Sequence, residues 1–205
     1  VTRNDEYKVA IGIAMLVGTL LAFLAFTPID QGQMVATLPF ISYYTGADKD
    51  AFANAVVAMS QQLGINPQDI MFVMYNESGF SPCIKNKAGS GNCGLIQFSD
   101  STAQGLGTSV AALSQMTAIQ QLAYIQKYLQ MVINTYGALD STSEVYSAVF
   151  YPASVGAGPD YEYPVNVVTA NARYFPNSPS GTKADFIAWI KNNIPASYAG
   201  MFTNV

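Results

Sequence analysis

The chain has 205 residues, half of them hydrophobic and 11% charged, with a net charge of −4. That length supplies one globular domain with its own core plus an appendage, and no run of lysines and arginines forms a stripe able to neutralise phosphates, which argues against nucleic acid as a partner. Histidine is absent, so Ser-His-Asp and Cys-His devices and histidine zinc sites are excluded; acid–base chemistry falls to carboxylates, tyrosines or lysines.

Residues Val9 to Phe26 run for eighteen positions without a charge. As a helix they would extend about 27 Å, close to the hydrocarbon thickness of a bilayer, so the sequence predicts an N-terminal transmembrane anchor in contact with lipid. A cleaved signal peptide is the competing reading, but the run is longer than a usual signal core, and Pro28 is poorly placed for cleavage near Thr27. Arg3 and Lys8 precede the stretch and the next lysine is Lys49, which by the positive-inside rule leaves the N-terminus cytoplasmic and exports the rest. Residues 27–46, interrupted by Pro28, Gly32 and Pro39, read as a connector whose apolar second half lies along the domain.

A helical period then begins. Phe52, Val56, Met59 and Leu63 fall on one face and Gly64 ends the segment. Pro67 suits the first turn of a second helix, in which Ile70, Val73, Met74 and Glu77 stand at i, i+3, i+4 and i+7. From Phe80 to Leu95 the composition predicts a loop or small hairpin. Ser99, Asp100 and Ser101 offer caps for a short helix. The stretch Thr117 to Tyr136 is the longest amphipathic segment and the expected central packing helix. Further helices are predicted near Ser143 to Phe150 and Lys183 to Ile194.

Glu77 ends an apolar helix in the stretch "VMYNESGF". Desolvation and the negative helix end both penalise its anion and favour the raised pKa wanted of a general acid. Ser78 can donate a hydrogen bond that orients the carboxyl, and Gly79 lets the chain leave the helix at once. On these features alone, a polar helix end and a catalytic acid are equally good readings.

Seventeen residues after Glu77 comes Gly94-Leu95-Ile96-Gln97-Phe98. The ordered set "ESGF … GLIQF … STA" resembles the lysozyme-like soluble lytic transglycosylase domain, over roughly Phe52 to Gly156. The resemblance implies that Glu77 is the single catalytic acid/base, that Ser78 orients it, and that Gln97 contacts the sugar, with Ile96 in the family's methionine position. It implies a peptidoglycan substrate, cleavage of the β-1,4 bond between N-acetylmuramic acid and N-acetylglucosamine, and neither cofactor nor metal. The family's Ala-Tyr-Asn motif is not matched: in "EVYSAVFYPASVG", Val149 and Phe150 follow Ala148. Tyr151, and after it Tyr146, are the candidates for the missing substrate-binding phenol, with core packing the readier account of Tyr146. Virion-associated murein-degrading proteins also resemble this family.

The expected fold is therefore mainly α: a lysozyme-like helical domain over residues 47–205 with a small loop or β-hairpin region, a connector over 27–46, and a tail and transmembrane anchor over 1–26. A hydrolytic lysozyme and a catalytically silent, membrane-anchored glycan-binding or structural virion protein are the competing functions. Cys83 and Cys93, the only cysteines, form either a short-loop disulfide worth about 2–3 kcal/mol or two reduced thiols.

Overall fold

A computed structural model describes residues 38–83, 91–176, 180–202 and 204–205. Helix α1 (Lys49–Leu63) buries Phe52, Val56, Met59 and Leu63, and leaves through Gly64 in the left-handed region at φ 68°. Pro67 occupies the first turn of α2 (Pro67–Ser78), where its missing N–H would have had no helical partner. Ile70, Met71, Phe72, Val73 and Met74 are all fully buried. A helix buried all round lies at the centre of a fold, and one buried along a stripe lies at its edge.

Helices α3 (Asp100–Gly105) and α4 (Val110–Leu113) are short and start on Ser99 and Ser109, whose side chains accept the Thr102 and Ala112 amides. Helix α5 (Ala118–Tyr136) opens with a capping box between Thr117 and Gln120. Its buried stripe is Gln121, Leu122, Ile125, Leu129 and Val132, while Met131 and Tyr136 are exposed. The central helix is thus α2, not the longer α5 that the sequence suggested. Five successive apolar side chains need cover on every side, whereas the 3.6-residue stripe of α5 needs it on one.

Helix α6 (Thr142–Phe150) is capped by Ser141. A turn at Pro152–Ser154, helix α7 (Val165–Ala170), a turn at Ala172–Tyr174 and helix α8 (Lys183–Asn193) follow, the last with a capping box between Thr182 and Asp185. Helix α1 packs on α5 and α2, α2 on α6, and α6 on α8; the Ala172–Tyr174 turn lies against α8. Among the described residues there is no strand, only isolated antiparallel bridges at Cys93–Phe98 and Glu162–Thr182. The expected hairpin region is therefore a single-bridge turn over residues 93–98, and residues 84–90 lie outside the described part.

The core reaches back before residue 47. Leu38, Phe40 and Tyr44 are buried, and the Phe40 ring stacks on Tyr75 at 4.8 Å between centroids. At the other end, Lys183 is buried, and its ammonium donates to Glu144 at 2.5 Å, the Ser154 carbonyl at 2.8 Å and the Ala157 carbonyl at 3.0 Å. All three protons are used, and α8 is thereby tied to α6 and to the turn after it.

Of the two readings of Cys83 and Cys93, the structure shows the unbridged one. Cys83 is exposed, whereas Cys93 is buried with its thiol directed at the Val110 carbonyl 3.4 Å away. Packing against α4 has turned one sulfur inward while the other faces water. Among the described residues no helix is long and apolar enough to cross a membrane; the stretch Val9 to Phe26 lies outside them.

Candidate active site

Glu77 sits in the last turn of α2, in phase with Ile70, Val73 and Met74, so its side chain points inward and is only 11% exposed. One oxygen, Oε1, takes all of its recorded bonds: from the Tyr146 phenol at 2.6 Å, the Tyr174 phenol at 2.9 Å and the Arg173 guanidinium at 3.1 Å. Arg173 also donates to the Tyr174 oxygen, and the two phenols lie 3.2 Å apart. Three donors on one oxygen fix the carboxyl plane and leave Oε2 as the oxygen able to face a substrate.

The phenols are held by an aromatic cage. Tyr146, on α6, meets Phe72, Phe186, Trp189 and Tyr174 edge-on; Tyr174 meets Trp189 at 4.6 Å and Phe150 at 4.8 Å. Burial first, then the neighbouring charges of Tyr174 and Glu77, raises Tyr146 well above the ordinary phenol value of 10.0. Burial and then Glu77 raise Tyr174 likewise. Both therefore keep their protons, and remain hydrogen-bond donors, at neutral pH.

Ser78 bonds the backbone rather than the Glu77 carboxyl. Its hydroxyl is directed at the carbonyls of Met74 and Leu95, 3.0 Å each, and ties the end of α2 to the Gly94–Phe98 turn. On the other side of that turn, the buried Gln121 accepts the Leu95 amide at 2.9 Å and donates to the carbonyls of Pro82 at 2.5 Å and Leu113 at 2.8 Å. Leu95 is thus clamped through both its backbone groups. Gly94 is required here: it has φ 88°, and a Cβ on it would stand 2.6 Å from Gln121 Oε1.

Gln97 lies in the left-handed region at φ 56°, uncommon for a residue with a side chain, and its amide donates to the Gly94 carbonyl at 3.0 Å. Gly79, at φ 56°, and Phe80, at φ 65°, turn the chain away from Glu77. Phe80 is buried against Tyr44 and Phe52, which anchors that exit.

Of the two candidate tyrosines, the one that reaches Glu77 is Tyr146, the less favoured in the sequence. Helical phase turns it toward α2, whereas Tyr151 caps the helix outside the helical region, at φ −154° and ψ 88°, and its ring lies beside Tyr161 and Tyr163. Tyr146 packs in the core and bonds the carboxylate at once. Neither Arg173 nor Tyr174 belongs to a sequence motif, and 96 and 97 positions separate them from Glu77. The one signal was that Arg173 is the sole arginine after Arg3.

The site is thus a nearly enclosed carboxyl at the end of a central helix, held by two phenols and a guanidinium. Residues 54–151 match the family model of the transglycosylase SLT domain, a lysozyme-like domain, over a little under half of the chain. No curated protein and no solved structure matches the chain. The matched region contains Glu77, the Gly94–Phe98 turn, Gln121 and Tyr146, and ends at Tyr151; Arg173 and Tyr174 lie beyond it. Members of that domain family are lytic transglycosylases that degrade peptidoglycan.

Proposed function

We propose that the chain is a peptidoglycan lytic transglycosylase with Glu77 as its single general acid/base. The observation that carries this reading is the Glu77 carboxyl, nearly enclosed, held on one oxygen by Tyr146, Tyr174 and Arg173, within a region similar to the transglycosylase SLT domain. Glu77, carrying its proton on Oε2, protonates the glycosidic oxygen between N-acetylmuramic acid and N-acetylglucosamine. The resulting carboxylate then takes the proton of the muramyl C6 hydroxyl as that oxygen closes onto C1. The product ends in a 1,6-anhydro sugar, no water enters, and Glu77 ends with its proton restored.

A hydrolytic route needs a second carboxylate, either about 5–5.5 Å or about 6.5–9.5 Å away. Glu144 is already committed: Oε1 to Lys183 and Oε2 to the Gly156 amide at 2.9 Å. Glu144 is therefore not free to serve as that second carboxylate. Gln97 and Tyr151 are proposed as glycan contacts. Ser78 is proposed to act through the turn it tethers. The uncharged stretch Val9 to Phe26 supports a membrane-anchored, exported domain opening the wall locally, as during genome entry from a virion.

Digestion of purified murein followed by mass measurement of the released muropeptides tests the reaction. Anhydro products are expected, and products heavier by one water would sink the transglycosylase reading in favour of a lysozyme. Glu77→Gln is expected to lower the cleavage rate by about a hundredfold to ten-thousandfold, the contribution of a general acid. Unchanged clearance would leave a structural or binding role.

A further inference from the structure

Arg173 is the member of the Glu77 cluster that is open to solvent. It stands on the one-turn Ala172–Tyr174 segment, beyond the family match, and its side chain is 55% exposed although its partner is 11% exposed. Its bonds to Glu77 and Tyr174 both leave from Nη2, and the side chain as a whole is more than half exposed. The guanidinium lies 4.4 Å from the centre of the Tyr174 ring, a surface along which a planar cation can slide while keeping its attraction. An ion pair so exposed at one end holds weakly, and its cation moves at little desolvation cost.

The surroundings make that cation unusual. The chain is acidic, so an anionic glycan gains no general attraction, and Arg173 is the only arginine among the described residues. Lys183 is locked to Glu144 inside the core. A guanidinium fork matches a carboxylate in two parallel hydrogen bonds, and a muramyl glycan supplies carboxylates, on the lactyl ether or on the stem peptide.

We propose that Arg173 is a specificity residue that exchanges partners: it rests on Glu77 in the substrate-free protein and transfers to a carboxylate of the incoming glycan, leaving Glu77 to its two phenols. This rests on the peptidoglycan reading above. A neutral glycan, having no carboxylate to offer, leaves the guanidinium on the acid, so recognition and release of Glu77 are one event.

The test is the ratio of kcat/KM between acidic and amidated forms of one glycan, for the full chain and its Arg173→Gln and Arg173→Lys variants. Two strand sets are used: strands stripped of stem peptides, whose carboxylates are lactyl, and strands bearing stem peptides, whose carboxylates are on the peptide. The wild-type chain is expected to prefer the acidic form by about twofold to fivefold in at least one set, which also identifies the carboxylate. Arg173→Gln should bring that ratio close to one, and Arg173→Lys, which keeps the charge but not the fork, should hold an intermediate value. A ratio in Arg173→Gln equal to that of the wild type, with both forms cleaved, overturns the role of Arg173 and leaves the transglycosylase reading intact. A wild-type chain that cleaves no strand overturns both.

Discussion

The phenol of Tyr146 donates to Glu77 Oε1 at 2.6 Å across a separation of 69 residues, and it does so from inside the core. Its ring cannot leave, because Phe72, Phe186 and Trp189 surround it. Removing only the oxygen by Tyr146→Phe keeps that packing and takes one of three donors from Glu77. A hydrogen bond to a charged group contributes about 1.5–3 kcal/mol. Murein cleavage is therefore expected to fall by about tenfold to a hundredfold, with the thermal midpoint little changed. A rate equal to that of the wild type would mean that the phenol is only packing.

Gln121 makes its bonds to three separate segments, and those to Leu95 and Leu113 lie in buried sites that water does not reach. Gln121→Ala would leave the Leu95 amide and the Pro82 and Leu113 carbonyls without their partner. A loss of about 3 kcal/mol in unfolding free energy is expected, since each abandoned buried group costs about 1–3 kcal/mol and local relaxation recovers part. Gly94→Ala should weaken the same turn, through its positive φ and the close approach to Gln121. Urea titration of both variants checks this.

Lys183 and Glu144 form a buried pair, and breaking one side of such a pair costs about 3–5 kcal/mol. Lys183→Met is expected to destabilise by that order and to loosen α8. Because α8 carries Phe186 and Trp189 against both phenols, murein cleavage should fall together with stability. Pairing the change with Glu144→Gln, which removes the uncompensated charge, should recover part of the stability. Calorimetric unfolding of the single and double variants measures the recovery.

Asp69 couples stability to pH. It is buried in the first turn of α2, accepts the Thr142 hydroxyl at 2.7 Å, and its Oδ2 keeps no hydrogen bond of normal geometry. Burial raises its pKa above the ordinary 3.8, against the lowering effect of Thr142 and Asn66. A carboxyl raised by folding holds its proton more tightly in the native state. Its stabilising contribution is complete below 3.8 and is lost as the pH rises through the higher native value. Relative to wild type, Asp69→Asn should thus gain stability over that rise. Denaturant midpoints of the two proteins from pH 3 to pH 7 give the difference, and parallel curves would exclude Asp69 as the source.

Much of this architecture was written in local pattern. The spacing of Phe52, Val56, Met59 and Leu63, the proline at Pro67 and the caps at Ser99 and Thr117 mark helices that form where expected, because period, cap and breaker act within a turn or two of the residue that carries them. Glu77 was legible for the same reason: its phase follows from its own helix. Helices α4 and α7, with four and six residues, carry too few apolar repeats to show a period and went unread.

What surrounds Glu77 was not written locally. Tyr146 and Tyr151 differ by less than two turns, and which phenol faces the carboxyl depends on how α6 rests on α2. Ser78 had a neighbour in sequence to orient and instead found Leu95, since a buried hydroxyl bonds whichever acceptor the packing brings within reach. Arg173 and Tyr174 reach the site only because α8 and the turn before it fold back over α6. The chain's own pattern names the acid; long-range packing, which no periodicity encodes, selects the groups that hold it.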